Sequence, residues 1–153
     1  MSEWKSVADI LERELQPVIV DWLSRVGQES ELTCVPLNFE ERAGHLPQLL
    51  QDVIVRLRLD GGTNARVSEA AGIHGDLRHK QGYTVAMAVE ESRLLQVSIF
   101  TMLHKNVKNL ECSTLLPQVV TIADEVDAQL KEQMLGFMAA DATKAVKVKE
   151  RVS

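Results

Sequence analysis

Residues 74–103 read HGDLRHKQGYTVAMAVEESRLLQVSIFTML, and this stretch decides the fold. Its pattern predicts one long helix, from about His74 to Lys105, that is polar at its start and apolar through the rest. At about 100° per residue, one face of this helix carries first polar and then apolar side chains, all within roughly 40° of one line. They are His74, Arg78, Gln81, Val85, Ala88, Ser92, Ile99 and Leu103.

The polar end of this predicted helix has two interpretations, because a buried imidazole, guanidinium or amide needs a partner. An arginine fork suits a carboxylate or phosphate, and a histidine can change its charge near neutral pH, which would make a ligand or signal site. The alternative is an internal clamp, in which Arg78 pairs with a glutamate such as Glu41 or Glu91. The candidate signal-site residues are His45, His74, Arg78, Gln81 and Tyr83.

The remaining helices follow from amphipathic periodicity and its interruptions. The first is predicted from about Glu3 to Val26, with Ser2 as its N-cap and Gly27 as its end. Pro17 lies inside this helix and removes a backbone donor, which predicts a kink or break near Leu15–Gln16.

The second helix is predicted from Phe39 to about Leu59. Asn38 and Glu41 have the spacing of a capping box, and Pro47 predicts a restart of the helix at Leu46–Pro47. The glycine pair in residues 60–64 then predicts a loop.

The next segment contains three glycines, Gly72, Gly75 and Gly82. Each lowers the stability of a helix interior by about 1 kcal/mol relative to alanine. They indicate either a break between two helices or close backbone approach by a neighbour or ligand. We expect a short helix from about Ala65 to Ala71, and then the long helix.

The last helix is predicted from Ser113 or Thr114 to about Ala140, followed by a helical tail. The sequence therefore predicts an all-α protein, an antiparallel bundle of four to five helices, with residues 1–140 as one domain and 141–153 as a linker or tail.

Composition limits the classes of partner. The 153 residues carry a net charge of -5, which argues against nucleic acid as a partner. The one basic cluster, residues 144–151 (KAVKVKER), is interpreted as a solvated helix end or linker. No apolar run approaches the ~18 residues of a membrane span, and no segment resembles a signal peptide, so we expect a cytoplasmic protein. Cys34 and Cys112 are expected to be reduced, partly buried thiols.

Catalytic and metal-binding patterns are weak in this sequence. His45, His74, His79 and His104 are the candidates for a metal or haem ligand, but the spacing of the second and third makes them diverge by about 140° on a helix. His74 also lacks the acidic neighbour and the proline of a histidine-kinase phosphorylation motif. No nucleophile or phosphate-loop motif is present, and Glu90 and Glu91 are expected to contact solvent, so we predict no enzyme activity and no cofactor.

Three motifs resemble the RsbRD N-terminal sensory domain, found at the front of stressosome RsbT co-antagonists and of many bacterial sensor histidine kinases. They are Arg42-x-x-His45-Leu46-Pro47-x-Leu49-Leu50, then His74-Gly75-x-x-Arg78-x-x-Gln81-Gly82-Tyr83, then Glu90/Glu91-x-x-x-Leu94-Leu95-x-x-x-Ile99. The resemblance covers most of the chain, and the second motif is the most specific.

The resemblance implies an all-α, cytoplasmic, non-catalytic input domain that is usually dimeric. It leaves a globin-like arrangement open, and it carries His74, Arg78, Gly82 and Tyr83 over as motif positions without a ligand role. Such domains precede a kinase or phosphate-binding output domain, so either a larger signalling protein continues beyond Ser153 or the domain acts alone through partners.

The first functional hypothesis is thus a stress-response or two-component signal-input domain that relays a signal through helix repacking and dimer contacts. The alternatives are a purely structural dimerisation module with no ligand, and a haem- or metal-binding helical sensor.

Overall fold

The computed structural model describes residues 5–59 and 68–152, and within these ranges the chain is an all-α bundle, as predicted. One isolated bridge, between Lys5 and Leu110, is the only strand-like pairing in those ranges. The helices are α1 (Val7–Arg13), α2 (Leu15–Gly27), α3 (Ser30–Thr33), α4 (Phe39–Ala43), α5 (Leu46–Arg58), α6 (Glu69–Lys80), α7 (Val85–Lys105) and α8 (Cys112–Val152).

The predicted first helix is two helices, with the break close to the expected place. α1 ends at Arg13 and α2 begins at Leu15, so Pro17 lies in the first turn of α2, where its missing N–H is not needed. The predicted start at Glu3 is wrong, because the Ser6 side chain caps α1 by accepting from the Asp9 N–H at 3.1 Å. The predicted cap, Ser2, lies outside the described residues.

The second predicted helix is likewise α4 and α5, and both of its local signals are confirmed. The Glu41 N–H donates to the Asn38 side chain at 2.8 Å, and the Asn38 N–H donates to the Glu41 carboxylate at 3.1 Å. α5 restarts at Leu46 with Pro47 in its first turn. Gly44 joins the two helices at φ 52°, a left-handed conformation that favours glycine. The predicted loop at 60–64 lies outside the described residues.

The predicted long helix from His74 to Lys105 is wrong. α6 ends at Lys80 and α7 begins at Val85, because Gly82 turns the chain at φ 88° and the Thr84 hydroxyl accepts from the backbone N–H of Met87. The predicted short helix ending near Ala71 is also wrong, since α6 runs without interruption through Gly72 and Gly75.

Close backbone contact between α6 and α8 explains the two glycines inside α6. A Cβ atom added to Gly75 would lie 1.9 Å from the Gln133 carbonyl oxygen, and one added to Gly136 would lie 2.1 Å from the Gly72 carbonyl oxygen. His79, further along α6, pairs with Asp141 on α8. His79 follows Gly72 on α6 and Asp141 follows Gly136 on α8, so the two helices run in the same direction. Their backbones touch at the glycines, and close approach was one of the two interpretations that the glycines allowed.

The apolar core lies between α1, α2, α5, α7 and the first two-thirds of α8. Arg56 of α5 ties this core to α8 through Asp124 and Glu125, and the Gln129 amide donates to the Leu49 carbonyl at 2.9 Å. Its most deeply buried apolar side chains include Ile10, Leu11, Val18, Leu50, Ile99 and Ile122.

α8 continues unbroken past the predicted end near Ala140. It reaches Val152, and every residue from 141 to 152 is exposed, so this segment is the helical tail that the sequence predicts. Among the described residues no helix is both long enough and apolar enough to cross a membrane.

Substituting Gly75→Ala should lower the free energy of unfolding by about 3 kcal/mol, because the new methyl group collides with a backbone that cannot rotate away. Chemical denaturation followed by circular dichroism measures this loss. Gly27→Ala is the matched control, since nothing lies within 4 Å of a Cβ there, and it should gain up to about 1 kcal/mol. Equal effects of the two substitutions would contradict the close contact.

Candidate functional site: a buried arginine clamp

The five residues predicted for the signal site lie near one another in the fold. His74 and Arg78 are on α6, Gln81 and Tyr83 are in the turn that leads to α7, and His45 directly precedes α5. We call the group of Arg78, Glu91, Tyr83, Gln81 and Arg42 the arginine clamp.

Arg78 is completely buried and uses all of its hydrogen-bonding capacity inside the protein. Its Nε donates to Glu91 Oε1 at 2.9 Å, and one Nη donates to Glu91 Oε2 at 3.2 Å and to the Arg42 carbonyl. The other Nη donates to Gln81 Oε1 at 2.7 Å and to the Glu41 carbonyl at 3.1 Å. A guanidinium has five N–H donors, so none is left for a ligand.

Glu91 is equally well partnered. Besides the two bonds from Arg78, its Oε2 accepts from the Tyr83 hydroxyl at 2.8 Å, and its backbone carbonyl accepts from the indole N–H of Trp22 at 3.0 Å. The Arg78 guanidinium also lies over the Tyr83 ring, 4.7 Å from the ring centroid.

Arg42 connects this network to the preceding loop. Its guanidinium donates to the Tyr83 hydroxyl at 3.1 Å and to the carbonyls of Leu32 and Val35 at 3.2 Å and 2.7 Å. The clamp thus joins α2, α4, α6, α7 and the loop after α3.

Burial shifts the protonation equilibria of the clamp. It raises the pKa of the Glu91 carboxyl, and this rise is opposed by the Arg78 charge and by the hydroxyl of Tyr83. Burial and the neighbouring Glu91 carboxylate also raise the pKa of the Tyr83 phenol above its usual range. Tyr83 therefore keeps its proton, and this agrees with its role as donor to Glu91 and acceptor from Arg42.

The buried His74 and the partly buried His45 form a pair of rings beside the clamp. Their ring centroids are 5.6 Å apart, with the rings nearly perpendicular, and in the described part of the chain the Nδ1 atom of neither ring has a hydrogen-bond partner. Burial, together with the charge of Arg78 and the proximity of His45, lowers the pKa of His74 to about 3. His74 is therefore a neutral imidazole at physiological pH.

Gly44 makes room for the His74 ring. A Cβ atom at Gly44 would lie 3.0 Å from Cε1 of that ring, so a side chain there would press on the imidazole as well as strain the backbone. The cavity next to the ring has a volume of about 20 Å³ and is lined by Trp22, Glu91 and Gln133 among others. This is room for about one water molecule and not for an organic ligand.

The geometry favours the internal clamp over an open ligand site. Arg78 pairs with Glu91, one of the two glutamates considered from the sequence, while Glu41 contributes its backbone carbonyl. The expectation that Glu91 contacts solvent is wrong, because the turn at residues 81–84 separates α6 from α7 and changes the phase between His74 and Glu91.

Sequence reasoning also missed Arg42 and Trp22 as members of the site. A signal for Glu91 was available within α7 alone. Met87 and Ala88 precede it by four and three residues, and Leu94 and Leu95 follow it by three and four, so Glu91 lies in the buried stripe of that helix.

The other candidate ligands lie apart from the clamp. The His79 ring packs edge-on against Phe137 on α8, and His104 is exposed in the last turn of α7. Cys34 and Cys112 are free thiols and both are exposed, so the expectation that they are partly buried is wrong. Within the described ranges, no three His, Cys, Asp or Glu side chains are grouped so that they could hold a metal ion.

No protein-family model, curated protein or solved structure matches this chain. The resemblance to RsbRD sensory domains and the globin-like arrangement therefore stay predictions.

Arg78→Ala should lower the free energy of unfolding by about 3–5 kcal/mol, because it leaves Glu91 buried without its charge partner. Denaturant titration measures the loss. Arg93→Ala is the control: Arg93 pairs with Glu90 at the exposed surface of α7, and that pair should contribute at most about 1 kcal/mol. A ligand-binding arginine would behave differently, since Arg78→Ala would then cost no more than the control.

The buried neutral His74 should make stability depend on pH in the acidic range. The unfolded chain binds a proton at this residue near pH 6.5, whereas the folded chain binds it only near pH 3. The contribution is therefore fully present above pH 6.5 and is lost at up to about 1.4 kcal/mol per pH unit as the pH falls towards 3.

Thermal melts of the parent and of His74→Gln between pH 7 and pH 4 test this dependence. The melting temperature of His74→Gln should depend less on pH than that of the parent. His104→Gln is the control, because it removes an exposed imidazole. If both variants keep the slope of the parent, protonation of His74 is not its cause.

Proposed function

We propose that this chain is a non-catalytic bacterial signal-input domain of the RsbRD N-terminal type, which forms a homodimer and relays changes in helix packing through α8. One observation carries the proposal: α8 belongs to the core along its first two-thirds and projects from it at its end. A change in how the core packs therefore has a direct path to an exposed surface. The cytoplasmic location and a kinase or phosphate-binding output partner are part of the same proposal.

The contact between α6 and α8 supports the relay. The clamp arginine lies on α6, one turn after Gly75, whose backbone touches Gln133 of α8. A rearrangement of the clamp has to move α6, and the contact leaves no side chain between the helices to absorb that movement. Such a relay requires two packings with different affinity for the signal or the partner.

An exposed apolar stripe that runs from the end of the core part of α8 into its projecting part supports the homodimer. At about 100° per residue, four apolar positions together span about 80° around the helix: Leu135, Met138, Ala142 and Val146. The three larger side chains are about half exposed or more, up to 62% for Met138. A second copy of the chain would cover this stripe by packing α8 against α8.

A second candidate function is a structural dimerisation module that binds no signal. The saturated hydrogen bonds of Arg78 favour it, because a site whose donors are all occupied has no affinity left for a ligand. Both candidates share the dimer, and they differ in whether the clamp and α8 are coupled.

Met138→Glu tests the dimer. A carboxylate at the centre of the stripe should raise the dimer dissociation constant about tenfold or more, because the charge loses water on association. Native mass spectrometry and light scattering over a concentration series report the change. Val20→Glu introduces the same charge at an equally exposed valine on α2 and should leave association unchanged. This interface would be contradicted by a parent protein that stays monomeric at every concentration, or by two variants that lose the same dimer affinity.

Distances between the two copies of α8 separate the relay from the structural module. Cys34 and Cys112 are replaced by serine, a spin label is attached at Lys149→Cys, and the label-to-label distance is measured with and without Glu91→Gln. A relay predicts a shifted or broadened distance distribution in Glu91→Gln. It predicts no change in Glu90→Gln, the neighbouring and partly exposed position on α7. An unchanged distribution in a dimer that persists would identify the structural module.

A further inference from the structure

A groove opens where α6 ends and α8 continues. Up to Lys80, α6 covers one face of α8 through Gln133, Gly136 and Phe137. Beyond that point the same face of α8 has no neighbour among the described residues. The resulting groove lies between the last turn of α6 and residues 139–151, with a volume of about 620 Å³, which lies in the range of sites for small molecules.

The groove has a small apolar floor and a cationic rim. Ala139, Ala140 and Val148 leave space between the helices, and Thr143 lies beside them. Asp76 is the one carboxylate in the lining, and Lys80 neutralises it at 2.7 Å. The cationic side chains are Lys80, Lys144, Lys147 and Arg151.

The three cations that α8 contributes to the rim are not neutralised by a neighbouring carboxylate in the described ranges. Lys144, Lys147 and Arg151 have no hydrogen-bond or ion-pair partner there. In contrast, each arginine before α8 in those ranges donates to a carboxylate or a carbonyl: Arg13, Arg25, Arg42, Arg56, Arg58, Arg78 and Arg93.

The spacing of the three cations makes their repulsion costly to the helix. Lys144 and Lys147 are three residues apart, and Lys147 and Arg151 are four apart, so neighbouring charges lie on one face. Each such like-charged pair destabilises a helix by roughly 0.2–0.5 kcal/mol. The chain as a whole carries a net charge of -5, so this concentration of positive charge is local. A multiply charged anion in the groove would neutralise the repulsion.

We propose that the groove between α6 and α8 binds a small molecule that carries a chain of phosphate groups. Lysine and arginine side chains suit phosphate oxygens, and three of them along about two turns of helix match a ligand with several charges. A nucleic acid or an anionic membrane would have to approach along the rest of the surface, whose net negative charge repels it.

The groove and the apolar stripe lie mostly on opposite sides of α8, with Lys147 at the border between them. At 100° per residue, Lys144 and Arg151 lie about 160–180° from Leu135, on the opposite side of the helix. Binding in the groove therefore requires neither the dimer nor an output partner, and the proposal goes beyond the proposed function without resting on it.

Isothermal titration calorimetry with inorganic tripolyphosphate tests the site. We expect one bound molecule per chain, with an affinity that falls as sodium chloride is added. The triple variant Lys144→Gln/Lys147→Gln/Arg151→Gln should weaken binding at least about tenfold. Its matched control, Lys105→Gln/Lys108→Gln/Lys131→Gln, removes the same charge from exposed positions outside the groove and should change the affinity less than about twofold.

The outcome of a parallel titration with a nucleoside triphosphate identifies the source of the phosphate chain. Tighter binding than tripolyphosphate means that the apolar floor contacts the nucleoside, and equal binding means that the phosphate chain alone is recognised. Either result supports the site. It is overturned if neither ligand binds at millimolar concentration, or if both triple variants lose the same affinity. Binding only to duplex DNA or to phosphatidylserine vesicles would likewise overturn it.

Discussion

The ion pair between Arg78 and Glu91 is the interaction on which this structure depends. Removing two charges from water is unfavourable by several kcal/mol per ion, so the pair is tolerable only when every remaining hydrogen bond is made. The acceptors come from different elements: carbonyls at the end of α4, an amide in the turn after α6 and a carboxylate on α7. The pair is satisfied only when these elements are correctly assembled. We expect it to specify one arrangement more than it adds to net stability.

The glycines solve the packing problem that this pair creates. For Arg78 to reach Glu91, α6 must lie deep against the bundle, and Gly75 and Gly136 allow that by bringing two backbones together. Gly44, in turn, leaves room for the His74 ring beside the clamp. Charge burial and close backbone approach therefore depend on each other here, although Gly136 is more than fifty positions from Arg78 in the chain.

The sequence was sufficient where the determinants are local. The capping box at Asn38 and the proline at position 47 give the boundaries of α4 and α5, since both act within one helical turn. The turn after α6 was missed because a single glycine, Gly82, is tolerated within a helical pattern. The change of phase at this turn put Glu91 on the wrong face. Close backbone approach was one of the two interpretations of Gly75, but its partner Gln133 could not be named, because the contact is tertiary. The groove depends on where α6 stops relative to α8, which a linear pattern does not contain.

The backbone crossing at Gly136 also gives α8 the mechanics of a lever. At about 1.5 Å per residue, Val152 lies about 24 Å beyond the crossing, so a tilt of about 10° there would move the end of the helix by about 4 Å. The crossing point is rigid, because no side chain lies between the two backbones that could change its rotamer and absorb the movement. A displacement too small to disrupt the core would thus move the C-terminal end of α8 by about the length of a side chain. Amplification of this kind requires no change in secondary structure.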